Sequence, residues 1–183
     1  MYIHIRNYQN KDGQKVPTKQ GVGLTCSRWL LLENKKEEID KLYRLSLDGK
    51  LDIDEYIMHL GGGIQLTISA KFPTVDIRQF WKPEDSEKPR PTRKGIALNR
   101  FKWERLCEIM ELIRVFVPEL DQACICLESH PNEIELNACK ECYPSDKPEE
   151  NEHIYISPNQ EGDFEIMSSP CKKTFSKHSF DCM

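Results

Sequence analysis

No apolar run in this chain approaches the roughly 20 residues that a membrane-spanning helix needs, so no helical membrane anchor is expected within its 183 residues. The first ten residues alternate apolar and polar and include His4 and Arg6, so the continuous apolar core of a secretory signal is missing too. The expected setting is intracellular, with no membrane partner. A phosphate-cradling glycine loop is absent: Gly61-Gly62-Gly63 has no Lys-Ser/Thr behind it and reads as a hinge before a strand. Eight cysteines are present, but Cys26 and Cys107 stand far apart and the other six crowd after residue 120, which is not the spacing of a disulfide-stapled domain. Reduced thiols are the default. A Cys-His nucleophile would need a rigid, partly buried site, and the cysteine-bearing tail has too little apolar material to build one. The chain is therefore read as a non-enzyme.

What the chain does have is one passage used twice. Ile3-His4-Ile5-Arg6-Asn7-Tyr8 matches Val75-Asp76-Ile77-Arg78-Gln79-Phe80. Pro17-Thr18-Lys19-Gln20-Gly21-Val22-Gly23-Leu24 matches Pro91-Thr92-Arg93-Lys94-Gly95-Ile96-Ala97-Leu98, and Trp29 answers Trp103. The copies differ in length only in the polar stretch between the matched blocks, where a loop tolerates it. The blocks are expected to be structural elements of one small fold.

In the second copy Ile64, Leu66 and Ile68 alternate with Gln65, Thr67 and Ser69, the period of a half-buried strand. Lys71-Phe72-Pro73 forms a tight connection, and a second strand runs from Val75 to Trp81 with Arg78 on its polar face. The proline-bearing residues 82–91 read as a loop, and Lys94 to Leu98 as a short strand. Asn99 is placed to cap a helix whose apolar positions Trp103, Leu106, Cys107, Met110, Ile113 and Val117 recur at helical spacing until Pro118. The first copy ends likewise, in one helix through Trp29, Leu32, Ile39, Leu42 and Tyr43 that stops near Asp48-Gly49. It has no counterpart of the strand at Ile64 to Ser69, so its matched strand must borrow or forgo backbone partners. A composite sheet, a truncated gene model and an unfolded remnant are the alternatives. The expected division is a truncated repeat over 1–46, a linker over 47–63, a complete repeat over 64–118 and an acidic, cysteine-rich, partly disordered tail over 119–183. Within that tail Ile154-Tyr155-Ile156 and Phe164-Glu165-Ile166-Met167 could form a marginal hairpin.

Charge follows the same division. Residues 64–117 hold eleven Lys and Arg against seven Asp and Glu, whereas 118–183 hold five against fourteen, giving +4 and −9. A basic fold with an acidic appendage suits a polyanion binder, or an interaction module whose tail recruits a protein or shields the basic sheet.

Lys71, Phe72, Arg78, Trp81, Arg90, Arg93 and Lys94 interleave cations with aromatic rings. Single-stranded nucleic acid calls for that mixture, because cations track phosphates while exposed rings stack on unpaired bases. The competing reading makes Trp81 and Phe72 core residues. The Asp-Ile-Arg strand, the Arg-Lys-Gly-Ile turn and the following helical Trp103 together resemble the single-stranded-DNA-binding domain of the transcriptional coactivator positive cofactor four. The resemblance covers Ile64 to about Val117, with a weaker partial match from Tyr2 to Tyr43. It implies an α+β fold in which a curved four-stranded antiparallel sheet is followed by a helix, with two such units forming a channel for melted DNA, either as a homodimer or as an intramolecular pseudo-dimer. It also implies that Arg78 and Arg93 contact phosphate, Lys94 assists and Trp81 stacks on a base. Nuclear location, a role in transcription and contacts with transcription machinery proteins rest on the resemblance, since Lys172-Lys173 is too short for a basic address. The first copy has Gln9 for Trp81 and Gln20 for Lys94 but keeps Arg6 and Lys19 as positive positions, so it is expected to bind less.

Cys124 and Cys126 with Cys139 and Cys142 could form two halves of a zinc site, with His130 as a substitute ligand. No cofactor is expected otherwise. His153 and His178 read as surface residues.

Overall fold

The computed structural model describes residues 1–81, 83 and 89–142, together with the backbone of two strands at His153–Pro158 and Phe164–Ser168. It is α+β. Strand β1 (Tyr2–Lys11) buries Ile3 and Ile5, and β2 (Gln14–Thr25) buries Val22 and Leu24. Between them Asp12 and Gly13 have φ of 53° and 76°, the paired positive values of a tight hairpin turn that matches strand twist. The polar stretch of the first copy is thus a hairpin tip rather than a loose loop.

Thr25 ends β2 and caps α1 (Cys26–Asn34), its hydroxyl accepting from the Arg28 amide at 3.4 Å. The single helix expected here is divided, because Lys35 at φ −91°, ψ 2° separates α1 from α2 (Lys36–Leu47). Residues Trp29, Leu30, Leu31 and Leu32 are all buried, so α1 is enclosed on more than one side. The break re-aims the chain so that Ile39, Tyr43 and Ser46, at i, i+4 and i+7, face inward from α2.

The stretch read as a linker holds another strand, β3 (Glu55–Gly61), which pairs antiparallel with β4 (Ile64–Ser69). Gly61, Gly62 and Gly63 all have positive φ, at 95°, 57° and 71°, and form the turn of that hairpin, not a hinge. β4 continues to β5 (Val75–Trp81) and β6 (Arg90–Leu98), completing a four-stranded antiparallel sheet in the order β3-β4-β5-β6. Arg90 and Pro91, read as loop, open β6, where Arg90 lies opposite Trp81. Asn99 caps α3 (Arg100–Phe116), accepting from the Lys102 amide at 3.0 Å. A 3-10 turn at Pro118–Asp121 follows, then two short helices, α4 (Cys126–Ser129) and α5 (Glu133–Ala138).

The first copy borrows its missing partners from the tail. β7 (His153–Pro158) pairs parallel with β1, and β8 (Phe164–Ser168) pairs antiparallel with β7, giving a second sheet in the order β2-β1-β7-β8. Both copies feed one hydrophobic core that joins Ile3, Ile5 and Leu24 to Leu66, Ile77 and Leu98, and in which Trp29 and Trp103 are fully buried. Two ion pairs link the helices of the two copies, Glu33 with Arg114 at 2.9 Å and Lys36 with Glu111 at 3.3 Å.

Candidate nucleic-acid interface

Period-two alternation sends Val75 and Ile77 into the core and leaves Asp76 and Arg78 on the outer face of β5. Arg78 lies opposite Gly95, and a Cβ there would sit 2.7 Å from Cγ of Arg78. The arginine stem therefore lies flat over the glycine. Its guanidinium donates from Nε to Asp76 at 2.9 Å, from NH2 to the other Asp76 oxygen at 3.2 Å, and from NH1 to the Thr92 carbonyl at 2.8 Å. Three of its five N–H donors are thus engaged within the protein. Asp76 neutralises this cation and fixes its direction, a constraint that sequence reading missed although an Asp-x-Arg spacing puts both residues on one strand face.

The first copy repeats the arrangement without the acid. Arg6 lies opposite Gly21 and donates to the Thr18 carbonyl at 3.2 Å, while His4 stands where Asp76 stands. The matched threonines also act alike: Thr92 donates to the Gln79 carbonyl and Thr18 to the Asn7 carbonyl, each at 2.8 Å. Their oxygens accept from the amides of Lys94 at 3.1 Å and Gln20 at 3.2 Å. In each pair the strand register shifts beside the arginine, between Arg6 and Tyr8 and between Arg78 and Phe80. That irregularity marks a bulge that re-aims the following side chains.

Beyond the bulge Trp81 is 54% exposed, alongside Arg90 on β6. Arg93 and Lys94 are exposed on the same strand, and Lys71 and Phe72 are exposed in the connection before β5, with Phe72 at 76%. Trp81 and Phe72 are thus surface rings, not core residues. Among the described residues no acidic group pairs with Lys71, Arg90, Arg93 or Lys94. In the first copy Lys19 is exposed, and Gln9 is exposed at the position of the tryptophan.

A second cluster forms after α3. Sγ of Cys126 lies 3.4 Å from Nε2 of His130, 3.4 Å from Sγ of Cys139 and 4.0 Å from Sγ of Cys142, and Cys142 Sγ lies 3.5 Å from the same histidine nitrogen. Cys124, expected in this group, is exposed and stands outside it. The reason is local: Ile125 is extended, whereas Cys126 opens α4, and one helical turn carries the chain from Cys126 to His130. The fourth position belongs to the histidine.

Among the described residues no helix is long and apolar enough to cross a membrane. The family described as Transcriptional Coactivator p15 (PC4) matches residues 70–109, which hold β5, β6 and the first half of α3. The RNA polymerase II transcriptional coactivator KIWI of Arabidopsis thaliana is 39% identical over 41 residues, which are 22% of this chain and 38% of that protein. The match thus spans less than half of the relative's length. No solved structure matches. The part of the chain similar to the Transcriptional Coactivator p15 (PC4) family is thus the strand pair that carries Arg78, Trp81, Arg93 and Lys94, with the first half of the helix behind it.

Proposed function

We propose that the chain binds single-stranded or melted DNA and acts in transcription, in the nucleus, as a coactivator-type protein without enzymatic activity. The observation that carries this reading is the half-exposed Trp81 beside the cationic strand β6. A ring held at the surface by a bulge, next to Arg90, Arg93 and Lys94, offers both contacts that an unpaired strand needs. The cations neutralise phosphates, and the ring stacks on a base without choosing its identity. Arg78, tied to Asp76, orients the face and has two N–H groups left for a phosphate. The shared core and the packing of β2 against β6 support reading the two copies as an intramolecular pseudo-dimer, in which the first contributes Arg6 and Lys19 but no tryptophan.

The test is titration of a labelled single-stranded oligonucleotide, and of its duplex, with the full chain and with Trp81→Ala. Single-strand preference that collapses in the variant supports the reading. Absence of binding by both proteins would leave an interaction module that has kept the fold and lost DNA binding.

A further inference from the structure

The segment from Cys126 to Cys142 is ordered with almost no core of its own. Neither α4, four residues long, nor α5, six residues long, has a buried residue, and Ile134 of α5 is 81% exposed. Helices this short do not persist by propensity in water. Something other than apolar burial must hold the segment, and its best-buried side chain is the Cys142 thiol, at 3% exposure.

Three sulfurs and one imidazole nitrogen converge there, all within 4.8 Å of one another. Tetrahedral zinc at about 2.3 Å from sulfur and about 2.0 Å from nitrogen would space its ligands about 3.8 Å apart for sulfur pairs and about 3.6 Å for a sulfur and a nitrogen. Four of the six edges of that tetrahedron are matched by separations of 3.4, 3.4, 4.0 and 3.5 Å, and the other two pairs lie within 4.8 Å. No pair is within bonding distance, and all of these thiols are free. Zinc suits such a set, since soft thiolates and an imidazole in tetrahedral array disfavour magnesium, calcium and manganese.

The loop that carries the ligands is also seated on both repeats. The Cys126 amide donates to the Ser27 hydroxyl at 2.7 Å, and Arg28 forms an ion pair with Glu141 at 3.1 Å and donates to the Glu141 carbonyl. The Gly62 amide, in the β3–β4 turn, donates to the Cys142 carbonyl. Gly62 cannot be replaced freely, because a Cβ there would collide with the Arg28 guanidinium. Ser27 and Arg28 belong to the first copy and Gly62 to the hairpin of the second.

We propose that Cys126, His130, Cys139 and Cys142 bind one structural zinc ion that staples the post-α3 segment across the seam between the two repeats. The closed set of four protein ligands leaves no position for substrate, as structural zinc sites require. This is independent of DNA binding.

The test measures the metal content of the full chain purified without chelator, and the visible spectrum of its cobalt-exchanged form. One zinc per chain and a tetrahedral thiolate–cobalt spectrum are expected. Cys139→Ser should lose the metal, Cys124→Ser should keep it, and His130→Cys should keep it with a cobalt spectrum shifted towards four sulfurs. The last variant guards against loss through misfolding. A zinc-free chain that remains folded overturns the proposal. So does a disulfide among the three cysteines in protein protected from air, or metal loss from Cys124→Ser equal to that from Cys139→Ser.

Discussion

Binding of an unpaired strand to the β5–β6 face makes a salt dependence that can be counted from the structure. Four exposed cations of the second copy, Lys71, Arg90, Arg93 and Lys94, have no acidic partner among the described residues, whereas Arg78 is neutralised by Asp76. Each phosphate neutralised on a single strand contributes about −0.7 to the slope of log K against log salt, so four give a slope of about −3. Raising salt from about 50 to about 200 mM should then weaken binding about 50-fold. Arg93→Ala with Lys94→Ala removes half of these charges and should reduce the loss to about sevenfold over the same range. Trp81→Ala acts on the other contact: it should weaken binding by about 1–3 kcal/mol at every salt concentration and leave the slope alone. Fluorescence anisotropy of a labelled oligonucleotide across a salt series separates the two, because cations set the slope and the ring sets the height. Parallel lines for the wild type and the double variant would refute the assignment of these cations to phosphates.

Three further outcomes follow from individual contacts. Asp76→Asn frees Arg78, so it should tighten single-strand binding at low salt and steepen the slope by about 0.7. The same change should lower the melting temperature by a few degrees, since a partly exposed ion pair contributes on the order of 1 kcal/mol; unchanged binding would remove Arg78 from the phosphate-contacting set. Gly21→Ala places a Cβ 2.7 Å from the Ile5 carbonyl oxygen and 2.9 Å from Cα of Arg6, both backbone atoms, so β1 and β2 must part. It should cost about 1–3 kcal/mol in thermal or denaturant unfolding and more than Gly95→Ala, whose nearest contact is a side-chain atom. Burial pushes the Cys107 thiol from 9.0 up to about 12, aided by nearby Asp40. Its folded form holds the proton more tightly than the unfolded chain, so its contribution to stability is complete below pH 9 and is lost as pH rises towards 12. Iodoacetamide at pH 8 should label it far more slowly in the native than in the unfolded protein, as mass spectrometry would show.

The elements that sequence reading located are those whose pattern is local. α3 announces itself through apolar residues at three- and four-residue spacing, a capping Asn99 and a terminating Pro118, and β4 through clean alternation. β3 escaped because Tyr56, Ile57 and Met58 are apolar in succession. Its burial does alternate, with Tyr56, Met58 and Leu60 inward, but the apolar Ile57 stands half exposed on the outer face of this edge strand and blurs the alternation in the sequence. The break at Lys35 is hidden by the same effect, since Trp29 to Leu32 are buried without interruption. At the proposed nucleic-acid face the cations and Trp81 stand out in composition and repeat matching. The bond between Asp76 and Arg78 depends on rotamers, and the exposure of Trp81 depends on a bulge that no spacing rule marks. Among the cysteines, equal pairing by sequence favoured Cys124, whereas one turn of helix decides for His130.

The composite sheet couples the tail to the first repeat in a way that can be measured. β5 has β4 and β6 on its two sides, and the short connection at residues 70–74 obliges β4 to run antiparallel. β1 has β2 on one side, and a row of N–H and C=O groups on the other side needs a partner. β7 supplies it over four register pairs, Tyr2 to Ile5. Because it arrives from far along the chain, no hairpin dictates its direction, and it pairs parallel. Its nearest described anchor is Cys142, eleven positions before His153. If opening the cysteine–histidine cluster also releases Glu141 from Arg28 and Cys142 from Gly62, the next is the Cys126 amide on Ser27, twenty-seven positions before. Loop-closure entropy puts the added cost of docking β7 at about 0.8 kcal/mol, or about fourfold in the docked fraction. Amide hydrogen exchange at residues 2–5 of β1 should therefore quicken about fourfold in Cys139→Ser, while exchange in β5, whose partners come from its own repeat, should not change. Equal protection of β1 in both proteins would mean that the cluster does not hold the tail strand in place.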